Sequence, residues 1–209
     1  VWGRRGVDRS FAAQLARIRV EASECMGGVP TLIGEFGIPF DLDRRRAFRT
    51  GDFRPQARAL DRSFRALEAN LLSGTLWNYT ADNDNRWGDR WNGEDFSIFS
   101  RDQQGDGAGL DSGGRALQAV VRPYARAVAG QPLRMTFDDR RRAFELVFRH
   151  DPAVQAPTEI YVPSLHYPRG YQVEVSDGEA RAGEEEQVLL YRHGSGRPEH
   201  WLHLHPATR

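Results

Sequence analysis

Cysteine is almost missing: Cys25 is the only one in 209 residues, so neither a disulfide framework nor a cysteine-built zinc site forms within one chain. Lysine is missing altogether, and all 29 basic residues are arginine. The 29 acidic residues bring the net charge to zero, which removes the bulk electrostatic case for a nucleic-acid or anionic-membrane partner. The triplets Arg44-Arg45-Arg46 and Arg140-Arg141-Arg142 each stand beside acidic residues and read as solvated charge. No apolar run approaches the roughly 18 residues that span a bilayer, and no signal-peptide core opens the chain. Hydrophobic residues at 39% and charged residues at 28% exclude disorder and fibrous repeats. The chain opens on Val1 rather than Met, so a portion of a longer protein is expected; the compartment is left open.

Apolar spacing predicts a helix over 10–24, with Phe11, Leu15, Ile18 and Ala22 on one face, Ser10 as N-cap and Gly27-Gly28 as stop. The β-branched run 29–34 predicts a buried strand ending at Glu35. A second helix is expected over 55–72 through Leu60, Phe64, Leu67 and Leu71, a second strand over 75–79, and a third helix over 114–128 with Pro123 as a kink. Alternating helices and strands imply βα units around a parallel sheet. The helix-to-strand links are short and the strand-to-helix links long, as in a (β/α) barrel whose active site lies at the carboxyl ends of the strands. Glu35 and Trp77 are therefore expected to face one cleft. From about Gln131 the texture changes to six short segments at 133–137, 143–149, 158–162, 171–175, 187–192 and 200–205, which predict an antiparallel sandwich. The expected fold is α/β plus all-β, with 1–130 as the last strands and helices of a (β/α)8 barrel and 131–209 as a C-terminal β-sandwich. The Gly/Asp-rich segment 105–114 reads as a mobile loop.

Gly34-Glu35-Phe36-Gly37 puts a carboxylate, expected to be buried, at the end of an apolar strand between glycines that let backbone and sugar approach closely. In retaining glycosidases such a group attacks the anomeric carbon while a second carboxylate about 5–5.5 Å away serves as acid and then base. A strand-terminal glutamate also occurs as a purely structural residue, and an isolated Trp as core. Paired on adjacent strand ends, Trp77 becomes a stacking platform for a pyranose face. The loop from Asp82 to Asp95 mixes Trp87 and Trp91 with Asn83, Asn92 and Glu94, the residue types of sugar recognition. Asp82, Asp84 and Asp89 lack the spacing of a calcium loop. His200, His203 and His205 raise zinc as a candidate, but His203 and His205 simply alternate with Leu202 and Leu204 on a half-exposed strand and read as ordinary strand positions; His166 and His193 fall in expected loops and carry no usable pattern. No metal and no cofactor is expected.

The run Gly34-Glu35-Phe36-Gly37-Ile38-Pro39-Phe40-Asp41, then Leu76-Trp77-Asn78-Tyr79, Asp82-Asn83 and Trp87-Gly88-Asp89-Arg90-Trp91-Asn92-Gly93-Glu94-Asp95, resembles glycoside hydrolase family 5, in its endoglycoceramidase and fungal glucosylceramidase/steryl-β-glucosidase branch. Arg122-Pro123-Tyr124, Ala129-Gly130 and 157–163 are similar to that branch too, so the likeness runs over about 30–165. The resemblance implies that Glu35 is the nucleophile, that Trp77 lines the subsite for the cleaved sugar, and that Asn83, Trp87, Trp91, Asn92 and Glu94 bind substrate. The family's acid/base follows an Asn, and no Asn-Glu pair exists in this chain, so the chain is expected to be a C-terminal portion without full activity. Glu94 is the one substitute considered, with glycan contact or pairing with Arg90 preferred. The implied activity is hydrolysis of glucosylceramide or steryl β-glucosides, without nucleic acid, by a monomer. The sandwich packs on the barrel or contacts lipid surfaces peripherally. The alternative is a non-catalytic carbohydrate- or lipid-binding module, or a decayed glycosidase.

Overall fold

The structure is a computed structural model describing residues 3–106 and 109–207. Val1, at which the chain opens, and part of the glycine-rich segment, Gly107 and Ala108, lie outside the described residues. The chain divides into two compact units, Val1–Leu67 with Leu72–Val120, and Glu68–Leu71 with Val121–Arg209.

In the first unit, α1 (Arg4–Cys25), β1 (Leu32–Phe36), α2 (Leu42–Thr50), α3 (Arg54–Ala69, its last two residues counted in the second unit), β2 (Ser73–Leu76) and the short α4 (Leu117–Val120) follow one another. Strands β1 and β2 pair in parallel, Leu32 opposite Ser73 and Phe36 opposite Leu76, as the βα pattern predicts. Helix α1 begins six residues ahead of Ser10, with Gly3 at its N-cap, and the Ser10 hydroxyl accepts from the Gln14 amide instead. Strand β2 ends at Leu76, so Trp77, Asn78 and Tyr79 form the start of a loop rather than the end of a strand. Helix α2 replaces part of the expected loop, and its first turn, Asp43-Arg44-Arg45, is left-handed.

Phe40, Ala57, Leu60, Ala116 and Ala119 make the buried core of this unit. Phe36 meets Phe64 of α3 edge to face, with ring centres 5.0 Å apart. The stripe on α1 is less buried than its pattern suggests, since Phe11 and Ile18 are each 40% exposed. Phe11 and Leu15 line an open cavity of about 290 Å³ with Ile33, Phe36, Ala66 and Leu67.

The third expected helix is the largest correction. Only Leu117–Val120 is helical, and Tyr124–Ala127 is a strand, β3, that pairs with β6 (Thr158–Tyr161). Pro123 offers no N–H and disfavours the helical region for Arg122, so the chain leaves the helix there. The sandwich thus begins at β3, ahead of the expected boundary at 130/131.

The second unit holds two antiparallel four-stranded sheets. One runs β4 (Gly130–Asp138), β5 (Ala143–His150), β10 (Glu199–Pro206), β7 (Tyr171–Val175); the other runs β3, β6, β9 (Val188–Arg192), β8 (Glu179–Ala182). Phe144, Leu146 and Phe148 alternate inward on β5, and Leu202 and Leu204 on β10, as period-two packing requires. These side chains with Ile160, Leu189 and Tyr191 form one core. The Arg122-Pro123-Tyr124 segment has a packing role: Arg122 donates to both carboxylate oxygens of buried Glu68 at 2.7 and 3.0 Å, and the Phe137 N–H donates to the same carboxylate. Thr158, fully buried, accepts from the Ala129 N–H at 3.0 Å.

Candidate active site

The site is built from the carboxyl ends of β1 and β2. The Trp77 N–H donates to the Phe36 carbonyl at 2.8 Å, which continues the parallel register past β2 and holds Trp77 one residue from Glu35. The two residues expected to share a cleft therefore do lie at the same end of the same strand pair. Gly37 makes this possible, because a Cβ there would collide with the Trp77 carbonyl and touch the Phe96 ring. Gly34 has open space around its Cα, so of the two flanking glycines only Gly37 is demanded by packing within the chain.

Glu35 is exposed rather than buried. Among the described residues β1 pairs only with β2, so no second strand pairs with the other edge of β1 there. The Glu35 carboxylate makes no hydrogen bond or ion pair to the described residues and stands in solvent. Trp77 is half-buried.

The loop after β2 separates its polar residues into two groups. Asn83 is fully buried and donates to the Phe99 carbonyl at 2.9 Å; it holds the loop from beneath, which corrects its expected place on the substrate side. Asp89 is 7% exposed and accepts from the Asn78 amide at 2.8 Å and from the Trp91 and Phe96 N–H groups at 2.9 and 3.2 Å. Asp84 accepts from the N–H groups of Arg86 and Trp87; these bonds, the Trp87 one foremost, hold its carboxyl below the ordinary value. Asp82 pairs with Arg90 at 3.4 Å. Each of the three aspartates considered for calcium is thus engaged within the loop.

The exposed group includes Trp87, Trp91, Asn92 and Glu94, beside Arg86, Arg90 and Gly93. Trp87 and Trp91 are 60% and 59% exposed, a large solvent-facing apolar area for so polar a loop. The Arg86 guanidinium covers the Trp87 ring, 4.7 Å from its centre. Arg90, the other partner considered for Glu94, is taken up by Asp82.

One anchor carries no sequence signal of its own. Arg115 has a side chain with 0% exposure and donates to both Asp95 carboxylate oxygens at 2.8 Å. It donates further to Asn85 at 2.6 Å and Gln103 at 2.8 Å, and its guanidinium lies 4.9 Å from the Phe48 ring centre and 5.3 Å from that of Phe40. Burial raises the Asp95 carboxyl from its ordinary value, with the Arg115 guanidinium opposing that rise. In the sequence Arg115 follows Ser112-Gly113-Gly114 in the segment read as a mobile loop. That segment is packed at its end: Gly113 has a φ of +82°, and a Cβ on it would strike the Phe99 ring.

Residues 122–204 match the glycoside hydrolase family 5 C-terminal domain, and the antiparallel sandwich is that domain. The chain is similar to a glucosylceramidase of Rhizopus delemar, 36% identical over 94% of this chain and 31% of the relative. It is similar to an ergosteryl-beta-glucosidase of Saccharomyces cerevisiae, 28% identical over 94% of this chain and 33% of the relative. Among solved structures, Cryptococcus neoformans sterylglucosidase 1 superposes with a TM-score of 0.88 at 29% identity, over 96% of this chain and 32% of that one. Endo-glycoceramidase II from Rhodococcus sp. shares the fold, with a TM-score of 0.66 at 20% identity over 96% of this chain and 38% of that one. The chain spans about a third of the length of the relatives it matches.

Proposed function

We propose that the chain is the distal portion of a retaining β-glycosidase that hydrolyses the glycosidic bond of a glucoside with a lipid aglycone, either glucosylceramide or a steryl β-glucoside. Residues up to α4 are then the last part of a (β/α)8 catalytic barrel, completed outside these 209 residues. The observation that carries the reading is the Phe36–Trp77 hydrogen bond, which holds an unpartnered carboxylate and a half-exposed indole at one end of a parallel strand pair.

Glu35 attacks the anomeric carbon and the glycosidic C–O bond breaks. An acid/base carboxylate, outside this chain, gives its proton to the departing aglycone oxygen and then activates the water that releases the sugar. Trp77 stacks on the pyranose, and Trp87, Trp91, Asn92 and Glu94 present stacking faces and hydrogen-bonding groups to glycan or aglycone. Asn83 acts only through the loop it holds. The names of the relatives support the substrate class: glucosylceramidases and an ergosteryl-beta-glucosidase carry sequences of this kind.

The test is covalent labelling of the full-length protein with a 2-deoxy-2-fluoroglucoside inactivator, followed by peptide mapping. A single adduct on Glu35 is expected, together with loss of glucosylceramide or steryl glucoside hydrolysis in Glu35→Gln. An adduct on another carboxylate overturns the assignment. The second reading, a carbohydrate-binding module, draws on the two exposed indoles and the lack of an Asn-Glu pair; unchanged turnover in Glu35→Gln with weakened glycan binding in Trp87→Ala/Trp91→Ala would favour it.

A further inference from the structure

Within the sandwich, three histidines far apart in sequence converge. His150 closes β5, His200 is the second residue of β10, and His193 directly follows β9. One potential ligand atom from each lies within 4.8 Å of the others. His150 Nδ1 and His200 Nε2 are 3.0 Å apart, and the His193 ring lies 4.9 Å from that of His150 and 4.5 Å from that of His200. His200 is fully buried, and its other nitrogen, Nδ1, sits 2.8 Å from the Asp177 carboxylate.

We propose that His150, His193 and His200 bind one divalent transition-metal ion of the zinc class, with Asp177 orienting His200 from behind. The carboxylate fixes the proton of His200 on Nδ1, so its Nε2 lone pair points at His150. A ligating imidazole backed by a carboxylate in this way is a recurrent feature of metal centres, where it sets tautomer and ring orientation. Zinc–nitrogen bonds of about 2.0–2.1 Å at a tetrahedral angle put ligand nitrogens about 3.3 Å apart. The observed 3.0 Å spacing needs only a small opening, with the His150 proton moving from Nδ1 to Nε2 by exchange with solvent. Three neutral imidazoles suit zinc, copper or nickel and offer little to calcium or magnesium. His150 and His193 are half-buried, so the site has a solvent side that leaves a fourth position for water. β5 and β10 belong to one sheet and β9 to the other, so the ion would clip the two sheets together.

The experiment uses the full chain without a histidine tag, stripped with chelator and then titrated with zinc, and in parallel with cobalt(II) as a spectroscopic probe. One zinc per chain, a cobalt d–d spectrum of tetrahedral intensity, and a rise in Tm on adding zinc are expected. His150→Ala and His193→Ala each abolish stoichiometric binding, Asp177→Asn weakens it about 10–100-fold, and His205→Ala, on an exposed position of β10, leaves it unchanged. Should a variant fail to fold, zinc added to the wild-type chain must move the ring resonances of His150, His193 and His200 and leave those of His166, His203 and His205 in place. Absence of saturable one-to-one binding, or movement of His203 and His205 instead, overturns the site and leaves a hydrogen-bonded histidine cluster.

Discussion

Arg115→Met removes one member of an ion pair whose side chains are 0% and 3% exposed. Methionine refills most of the volume among Phe40, Phe48 and Phe53, so the cost is electrostatic: Asp95 remains buried without its counter-charge, and Asn85 and Gln103 lose a donor. Breaking a buried pair by deleting one partner costs about 3–5 kcal/mol. At about 2–4 °C per kcal/mol for a chain of this size, Tm falls by about 6–20 °C. Urea unfolding followed by tryptophan fluorescence is the assay, since Trp77, Trp87 and Trp91 all report on the first unit. The pH dependence gives a second reading. Burial already raises the Asp95 carboxyl; without the guanidinium it rises further above the unfolded value, so the folded variant takes up a proton that the unfolded chain does not hold. Its stability is then highest at acid pH and falls as pH rises through the folded value. The deficit against wild type is therefore largest near neutrality and shrinks on acidification. Asp95→Leu/Arg115→Met should recover much of the loss. A deficit below about 1 kcal/mol, the range of exposed pairs, or one that does not change with pH, would refute the reasoning.

Other consequences follow from single contacts. Gly37→Ala drives a methyl into the Trp77 carbonyl and should cost about 1–3 kcal/mol as overpacking, read by urea unfolding together with a shift of the Trp77 emission. Thr158→Val leaves the buried Ala129 N–H without its acceptor, and a loss of about 1–3 kcal/mol is expected, visible as a lower melting temperature and faster exchange of that amide. The Arg54 side chain holds the Asp52 carboxyl down at about 2. Its stabilising contribution is thus full above the ordinary 3.8 and is lost as pH falls toward 2, which carbon-detected NMR titration of Asp52 checks directly.

The sequence carried the parts of the fold that rest on periodicity. The parallel order of β1 and β2, the apolar face of α3 and six of the eight sandwich strands all follow from runs that alternate or recur as their burial does. Strand β8 escaped because Glu-Ala-Arg-Ala offers no large apolar residue; it is defined by pairing with β9, a long-range contact. Strand β3 was hidden because Val120, Val121 and Tyr124 also fit a helical face, and only the backbone restriction at Pro123 decides between them. Helix α2 is polar save Leu42, Ala47 and Phe48, and its left-handed first turn has no compositional mark. The histidine cluster was not read from the sequence: the expected strand 143–149 stops one residue short of His150 and His193 falls in an expected loop, so only His200, on the inward parity of Leu202 and Leu204, lay on an expected strand. Which histidines meet across the two sheets depends on strand order, which one sequence does not reveal.

The loop from Asp82 to Asp95 shows why residue type alone does not separate buried from exposed polar side chains. Its acids and amides look alike in sequence, yet burial makes some of them anchors and leaves the others exposed to solvent. Asp89 tests this division, because it is buried and one of its oxygens holds the Trp91 N–H. One carboxylate oxygen accepts from the Asn78 amide and the Phe96 N–H, the other from the Trp91 N–H. Asp89→Asn keeps the shape but turns one of these oxygens into a donor, so either orientation of the amide sets donor against donor. It should therefore fail as a conservative replacement and destabilise by about 1–3 kcal/mol, nearly as much as Asp89→Ala. Trp91→Ala and Glu94→Gln, at exposed positions, should stay within about 0.5 kcal/mol of wild type. In the full-length protein Asp89→Asn should raise KM along with Trp91→Ala while Glu35→Gln acts on kcat. An Asp89→Asn variant as stable as wild type, with Trp91 emission unmoved, would mean that the loop is held by its other contacts and that Asp89 is dispensable.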